Sequence, residues 1–214
     1  MLLAAGRGER LRPLTDTLPK ALVEVQGTSL IERHLERLRA AGIGTVVVNL
    51  GWLGERIAER LGSGRRYGLD IVYSPEGDNI LETGGGIRRA LPLLGEEPFV
   101  VINADIYTDM PVPVAELAPD VVGHLVLVPR PAYRATGDFD LVDGYVRHGT
   151  APGLTFSGVA VYRPAFFAGQ PVGRFPLAPL LRAAADADQL SGAVYEGTWE
   201  DVGTPERLDA LNAR

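Results

Sequence analysis

Residues 2–14 read LLAAGRGERLRPL and place a short apolar run directly before a loop rich in glycine and arginine. Residues 2–5 predict a short buried strand. The glycines at 6 and 8 let backbone N–H groups in the loop approach phosphate oxygens closely. Arginine binds such oxygens in a bidentate way, and this loop carries Arg7, Arg10 and Arg12.

The loop lacks the features of two common phosphate-binding motifs. It has no third glycine at the spacing of the dinucleotide fingerprint, and it does not end in the Gly-Lys-Ser/Thr of a P-loop. Its lysine comes later, at Lys20 after Pro19, and would add a compact positive charge. The stretch therefore indicates a phosphate-binding loop of another kind, and a solvated basic loop remains the alternative.

Outward from this loop, strand and helix patterns alternate through the first half of the chain. Strands are predicted at 45–49 (TVVVN), 69–73 and 99–103. Helices are predicted from Ser29 as the cap to Gly42, and from Leu53 to Gly62. A third helix is expected to follow the glycines at 84–86. This alternation is typical of an α/β protein.

The second half predicts strands without full helices between them. We expect strands at 125–128, 138–142 and 154–162, a late strand within 194–202, and helices at 177–187 and 205–211. A parallel, helix-covered first half would thus meet a more antiparallel second half. Because no low-complexity linker separates them, we predict one domain over residues 1–214 with two lobes.

Composition excludes several classes of protein. The chain has 214 residues, no cysteine, and 21 basic against 27 acidic side chains, for a formal charge of −6. The mild acidity argues against a general nucleic-acid binder, and the lack of cysteine excludes disulfides and thiolate chemistry. No apolar run reaches the ~18 residues of a membrane span, and the apolar run after Met1 is too short for a signal peptide. We expect a cytoplasmic protein that binds neither nucleic acid nor membrane.

Two aspartates stand at the ends of predicted strands. Asp105 follows the apolar strand 99–103, and Asp201 follows Trp199. Ligands of open α/β sheets bind outside the carboxyl ends of strands, and Mg²⁺ commonly takes one or two carboxylates together with substrate phosphates. The pair predicts a magnesium site. The alternatives are a turn aspartate at 105 and a cap at 201, where Pro205 can begin a helix.

Together these groups favour phosphoryl or nucleotidyl transfer. Such reactions need charge neutralisation and positioning more than a protein nucleophile. No Ser/His/Asp set suggests itself, and we expect structural or solvated roles for His34, His124 and His148.

The pattern resembles the sugar-1-phosphate nucleotidyltransferase family. The motifs that carry the resemblance are residues 3–15 with Pro19-Lys20, Asn103-Ala104-Asp105, and residues 199–204 (WEDVGT). They occur in the family's order and span almost the whole chain. The resemblance implies a single glycosyltransferase-A-like, Rossmann-like α/β domain, with a mixed, mainly parallel central sheet and helices on both faces. The nucleotide-binding half would cover about 1–110 and the sugar-binding half about 111–214.

The resemblance also implies roles for individual residues. The catalytic set would be Arg10, Lys20, Asp105 and Asp201, and the two aspartates would bind Mg²⁺. The nucleotide would contact Ala5, Gly6, Gly8, Glu9, Arg10, Lys20, Glu82, Thr83, Gly84 and Asn103. The sugar would contact Asp138, Ser157 and Gly158.

Within the family, residues 73–77, 81–87, 137–139 and 154–158 are most similar to uridylyltransferases that act on an amino-sugar 1-phosphate. The implied substrates are therefore UTP and a sugar 1-phosphate, and the implied state is a monomer or small homo-oligomer. The loop at 77–81 is slightly longer than in relatives. No hexapeptide repeat follows Asp201, which favours a stand-alone transferase.

Three other interpretations remain. The first is a guanylyltransferase acting on mannose 1-phosphate or a heptose phosphate, because the glycines at 84–86 do not read a base by themselves. The second is a non-catalytic module that binds a nucleotide sugar. The third, a dinucleotide-binding oxidoreductase, is disfavoured because Asn49 stands where an acidic residue is expected.

Overall fold

The computed structural model describes residues 1–77, 80–113, 116–149 and 153–214. The strands, in chain order, are β1 (Leu2–Leu3), β2 (Glu24–Val25), β3 (Thr28–Ser29), β4 (Thr45–Leu50), β5 (Asp70–Pro75), β6 (Phe99–Asn103), β7 (Ile106–Thr108), β8 (Gly123–Pro129), β9 (Phe139–Val142), β10 (Tyr145–His148), β11 (Leu154–Tyr162), β12 (Leu190–Val194) and β13 (Trp199–Asp201). The α-helices are α1 (Leu30–Ala40), α2 (Gly54–Leu61), α3 (Glu82–Leu94), α4 (Ala165–Ala168), α5 (Leu177–Asp186) and α6 (Pro205–Asn212).

One mixed sheet forms the centre of the molecule, in the order β5-β4-β1-β6-β11-β8-β12-β10-β9. The first four of these strands pair in parallel. β11 and β10 run opposite to the other strands of this sheet. Seven of the nine strands in this sheet run in the same direction, so it is mixed and mostly parallel, as the sequence predicted, and each of its antiparallel pairs includes a strand from the second half of the chain.

Helices cover both faces of this sheet. Successive side chains of a strand point to opposite faces, and β4 follows this rule. Val47 packs in a core with α3 and α5, whereas Val46 and Val48 pack in a second core with α1 and α2. The single α/β domain with a helix layer on each face is confirmed. None of the described helices is long and apolar enough to cross a membrane.

The first long helix begins at the predicted cap. Ser29 accepts a hydrogen bond from the Glu32 backbone N–H (3.4 Å), and its hydroxyl donates to the Glu32 carboxylate (2.6 Å). This exchange resembles a capping box, which satisfies N–H groups that a helix start leaves free. Arg60 and Arg66 also bind Glu32, at 3.1 and 3.2 Å. Glu32, the partner of the capping serine, thus also ties α1 to α2.

Two sequence-based expectations were wrong in detail. The glycines at 84–86 lie inside α3, which begins at Glu82, rather than before the helix. The sequence also did not predict β10, the strand that ends at His148. The late strand expected within 194–202 is β13, and it lies outside the central sheet. In the loop at 77–81, Asp78 and Asn79 lie outside the described residues.

His34 is structural, as the sequence suggested. It is fully buried in α1, and its Nε2 lies 3.0 Å from the carbonyl oxygen of Ile106 in β7. Its Nδ1 lies 3.1 Å from Arg37, which can only donate, so Nε2 carries the proton. Burial and the Arg37 charge lower the pKa of His34 to about 3. The neutral ring therefore holds β7 in place through the hydrogen bond from Nε2 to the Ile106 carbonyl oxygen.

Acid should weaken the fold through His34. Its pKa is about 3 in the folded chain and about 6.5 when unfolded, so between these values the unfolded chain binds more protons. Stability is then lost as pH falls below 6.5, by about 1 kcal/mol between pH 7 and 5.5. Urea unfolding across this range should show that loss, and His34→Gln should be less pH-dependent. Burial also lowers the pKa of His124, but this residue is present in both proteins and so does not account for a difference between them. An unchanged slope would contradict the assignment.

Candidate active site

The pairing of two short strands brings the predicted acidic residues together. Asp105 lies in the turn between β6 and β7, directly before Ile106. β7 pairs antiparallel with β13, and in that register Ile106 stands opposite Asp201. The Val202 backbone N–H also donates to the Asp105 carbonyl oxygen (3.2 Å). Aspartates far apart in sequence therefore lie side by side at the carboxyl end of β6.

Lys20 lies between the two carboxylates. Its Nζ is 2.5 Å from Asp105 Oδ2 and 3.7 Å from Asp201 Oδ1, so these two oxygens are within about 6 Å of each other. The lysine side chain is only 11% exposed, whereas the aspartates are 34% and 27% exposed. The ammonium group is thus held in place by charge on two sides. Lys20 is also the only lysine in the sequence, a signal that composition alone could have given.

Arg10 is the second cation at this cluster. Its Nη2 lies 3.5 Å from Asp201 Oδ2, and the side chain is 62% exposed. Gly203 makes room for it, because a Cβ there would lie 2.9 Å from the same nitrogen. The other arginines of the loop are used differently: Arg7 stacks on Trp52 at 4.9 Å, and Arg12 pairs with Asp16.

The glycine loop forms one wall of a cleft beside this cluster. Gly6, Gly8 and Glu9 line it together with Arg10, Lys20 and Asp105. Gly8 has φ +64°, and a Cβ there would come 3.0 Å from Lys20 and from Thr15. Glycine is needed at this position for both its backbone conformation and its space.

A pocket next to the cleft gathers the remaining residues predicted to contact a nucleotide, apart from Gly84. The lining includes Ala5, Glu82, Thr83 and Asn103. Gly84 lies behind them in α3, where a Cβ would come 2.3 Å from the Phe175 ring. It therefore serves helix packing in this structure.

Two pocket residues received no role from the sequence. The buried Glu76 carboxylate accepts hydrogen bonds from Asn49 Nδ2 and from the Leu81 backbone N–H, both at 2.7 Å. Asn49 Oδ1 in turn accepts from the Ala4 N–H (2.6 Å). This network ties β1, β4 and the start of α3 to one carboxylate. The only available signal was that Glu76 lies within a stretch that resembles the family.

Asp138 lies in a third pocket, which shares Glu82, Thr83 and Asn103 with the second. Its Oδ2 accepts a hydrogen bond from the Phe156 backbone N–H (3.0 Å) and from Arg134 Nη1 (2.7 Å). The carboxylate is therefore held in place at the edge of β9 and β11.

Ser157 and Gly158 do not offer the direct contacts expected of them. The buried Ser157 hydroxyl donates to the Val126 carbonyl oxygen (2.6 Å) and accepts from the Val159 N–H (3.1 Å), at an irregularity of the β11–β8 pairing. Gly158 has φ +82°, and a Cβ there would lie 2.6 Å from Asn103 Nδ2. Gly158 thus packs against Asn103, and Ser157 holds the irregular strand pairing next to it.

Arg207 is a further residue that the sequence did not reveal. Its Nη1 donates to the Asp201 carbonyl oxygen (2.9 Å) and to Asp201 Oδ2 (3.2 Å). Its guanidinium lies 3.8 Å from the centre of the Tyr133 ring. Arg207 therefore fixes the Asp201 carboxylate and links it to the loop that carries Asp138.

The carboxylate pair fits a divalent cation. Both side chains are partly exposed, and carboxylate oxygens are the ligands that hard cations prefer. Among the described residues, no group of three or more acidic, histidine or cysteine side chains is assembled. A cation held by Asp105 and Asp201 would therefore complete its coordination with water or with oxygens of a bound phosphate.

The fold, the cationic loop and the paired carboxylates define a nucleotidyl-transferring enzyme, and the chain belongs to the nucleotidyl transferase family, whose model matches residues 1–120. Members of this family generally use a divalent metal. The chain is 48% identical, over its full length and 96% of the relative, to N-acetylmuramate alpha-1-phosphate uridylyltransferase of Neisseria meningitidis. It is 38% identical to the protein of that name from Caulobacter vibrioides, again over its full length and over 95% of the relative.

Other relatives match less of the chain. A mannose-1-phosphate guanyltransferase of Yarrowia lipolytica is 39% identical over 55% of this chain and 32% of its own length. The fold is shared with a structure described as a glucose-1-phosphate thymidylyltransferase of Bacillus anthracis. That comparison has a TM-score of 0.85, covers 99% of this chain and 92% of the other, and involves 19% sequence identity.

Proposed function

We propose that this protein transfers UMP from UTP to N-acetylmuramate 1-phosphate, giving UDP-N-acetylmuramate and pyrophosphate. The observation that carries the proposal is the full-length similarity to two uridylyltransferases of that name. The cluster of Lys20, Arg10 and two aspartates supports it, because these groups suit transfer between phosphates. The reaction would return N-acetylmuramate to cell-wall synthesis, as in cytoplasmic peptidoglycan recycling.

The proposed reaction is a direct displacement at phosphorus. A phosphate oxygen of the sugar 1-phosphate attacks the α-phosphorus of UTP, the bond to the β-phosphate oxygen breaks, and pyrophosphate leaves. Lys20 and Arg10 contact the phosphates and offset the negative charge that accumulates on them. Lys20 contacts both carboxylates and lines the cleft, so its charge lies beside the proposed phosphate site before the substrates arrive.

Mg²⁺ is the divalent ion we propose for this site, held by Asp105 and Asp201. When bound, it supplies Lewis-acid stabilisation of phosphoryl oxygens. Arg207 keeps the Asp201 carboxylate oriented through its contacts to Oδ2 and to the backbone.

We assign the nucleotide to the half of the chain at about 1–110 and the sugar to the half at about 111–214. Gly6, Gly8 and Glu9 line the triphosphate cleft, and Ala5, Glu82, Thr83 and Asn103 surround the nucleoside pocket. Asp138 contacts the amino sugar from the adjoining pocket. In this assignment Gly84, Ser157 and Gly158 act through packing. The protein works as a monomer or small homo-oligomer.

A substrate panel tests the proposal. Pyrophosphate release should be measured with each of four nucleoside triphosphates against N-acetylmuramate, N-acetylglucosamine, mannose and heptose 1-phosphates. UTP with N-acetylmuramate 1-phosphate should give the largest kcat/KM, and EDTA should abolish it. A preference for GTP with mannose or heptose phosphate would overturn the proposal. Absence of turnover with every pair would favour the non-catalytic nucleotide-sugar-binding module.

Gly158→Ala should weaken nucleotide binding. The new Cβ would collide with Asn103, which would have to leave the nucleoside pocket. Gly144→Ala is a matched control, because Gly144 has φ +81° and nothing lies within 4 Å of the position that its Cβ would take. Each variant should lose about 1–2 kcal/mol of stability from the left-handed backbone. Only Gly158→Ala should raise the KM for UTP, by several-fold, and equal kinetics for the two variants would exclude this role.

A further inference from the structure

The pocket that holds Asp138 has the size and character of a small-ligand site. Its volume is ≈ 430 Å³, which lies in the usual ligand range of roughly 300–1,000 Å³. Apolar surface comes from Phe139, Phe156, Leu177 and Leu181. The pocket continues into the nucleoside pocket through residues that line both.

One charged side chain that lines this pocket has no ionic partner among the described residues. Of the four charged lining residues, Arg134 already binds Asp138 (2.7 Å) and Glu82 binds Arg174 (2.7 Å). The fourth, Arg182, lies on α5 one residue after the buried Leu181. Within the described part of the chain, no hydrogen bond or ion pair is found for Arg182. The pocket therefore presents one unpaired positive charge beside an apolar wall.

We propose that Arg182 binds the lactyl carboxylate of N-acetylmuramate 1-phosphate and so distinguishes this sugar from N-acetylglucosamine 1-phosphate. The inference rests on the proposed function. The two sugars differ in the lactyl ether on O3, which adds a carboxylate and a methyl group to N-acetylmuramate. Arginine is the side chain best suited to bidentate binding of a carboxylate, and Leu181 offers apolar surface to the methyl group.

The charges already present in this pocket do not by themselves accommodate the carboxylate of the sugar. A second anionic group brought beside the Asp138 carboxylate is unfavourable unless a cation offsets it. Arg134 is already bonded to Asp138 and is shared between the two charges at best. Arg182 supplies the additional positive charge without breaking any contact of the described structure.

A substrate–variant cycle tests the assignment. kcat/KM with UTP is measured for the parent protein and Arg182→Gln, each with N-acetylmuramate 1-phosphate and with the derivative in which the lactyl carboxylate is a neutral amide. Arg182→Gln should lower kcat/KM for the acid about tenfold, the usual effect of one charged hydrogen bond, and leave the amide unaffected. Arg182→Lys should restore part of the loss. Arg89→Gln, which removes an exposed arginine of α3 outside this pocket, should change neither.

The outcomes separate this inference from the proposed function. If the parent turns over N-acetylmuramate 1-phosphate but Arg182→Gln affects acid and amide equally, or affects neither, Arg182 does not read the carboxylate. If the parent does not turn over N-acetylmuramate 1-phosphate at all, the proposed function fails and this inference fails with it. Circular dichroism and thermal unfolding of each variant check that the fold is retained.

Discussion

Lys20→Ala is expected to lose at least about a hundredfold in kcat, the cost of removing one preorganised group that stabilises transition-state charge. Lys20 is the cation held between Asp105 and Asp201, and its side chain is nearly enclosed. No neighbouring lysine can replace it, because the sequence contains no other. Steady-state kinetics with UTP and N-acetylmuramate 1-phosphate measure the effect.

Lys20→Arg should lose almost as much kcat as Lys20→Ala. The guanidinium is larger and planar, and the slot between the two carboxylates fits the compact ammonium. Both variants should remain folded, because Asp105 and Asp201 are partly exposed and water can hydrate them once the lysine is gone. Thermal unfolding is the control. A folded Lys20→Ala protein with the parent rate would show that Lys20 has no catalytic role.

Asp105→Asn and Asp201→Asn are each expected to lower kcat by two orders of magnitude or more, about 3 kcal/mol of transition-state stabilisation. Asparagine keeps the size of the side chain but removes the charge that a divalent cation requires. The metal concentration that gives half-maximal activity should also rise, and Mn²⁺ binding followed by electron paramagnetic resonance should weaken.

Asp143→Asn is the matched control for these variants. Asp143 lies in the exposed turn between β9 and β10 with φ +51°, a conformation that asparagine adopts readily. The same loss of charge there should leave kcat and Mn²⁺ binding unchanged. If the Asp105 and Asp201 variants keep the parent affinity for Mn²⁺, these residues are not the metal ligands.

The part of the site that the sequence could predict depends on strong local signals. The unbroken apolar run at 99–103 predicts a buried strand, and a polar residue after such a strand falls at the ligand-binding edge of the sheet. Asp105 was found in this way. β7, by contrast, is only three residues long, too short for periodicity, and it exists because β13 pairs with it. The contact between Asp105 and Asp201 therefore needed the structure.

The side-chain hydrogen bonds of the site could not be predicted from the sequence either. The Ser157 hydroxyl is occupied by backbone groups of β8 and β11, a consequence of the irregular pairing there. Glu76 is a buried acid whose partners come from β4 and the start of α3. Both sets of hydrogen bonds depend on which distant segments the sheet brings together, so the local sequence does not reveal them.

The central claim is that Asp105 and Asp201 act as one unit on a shared cation. The most direct test is the rate of pyrophosphate release by Asp105→Asn/Asp201→Asn compared with each single variant. Residues that act as a unit are strongly non-additive, so the double variant should be no slower than the worse single variant by more than a few-fold. If the two losses instead multiply, the carboxylates act independently and the shared site is wrong.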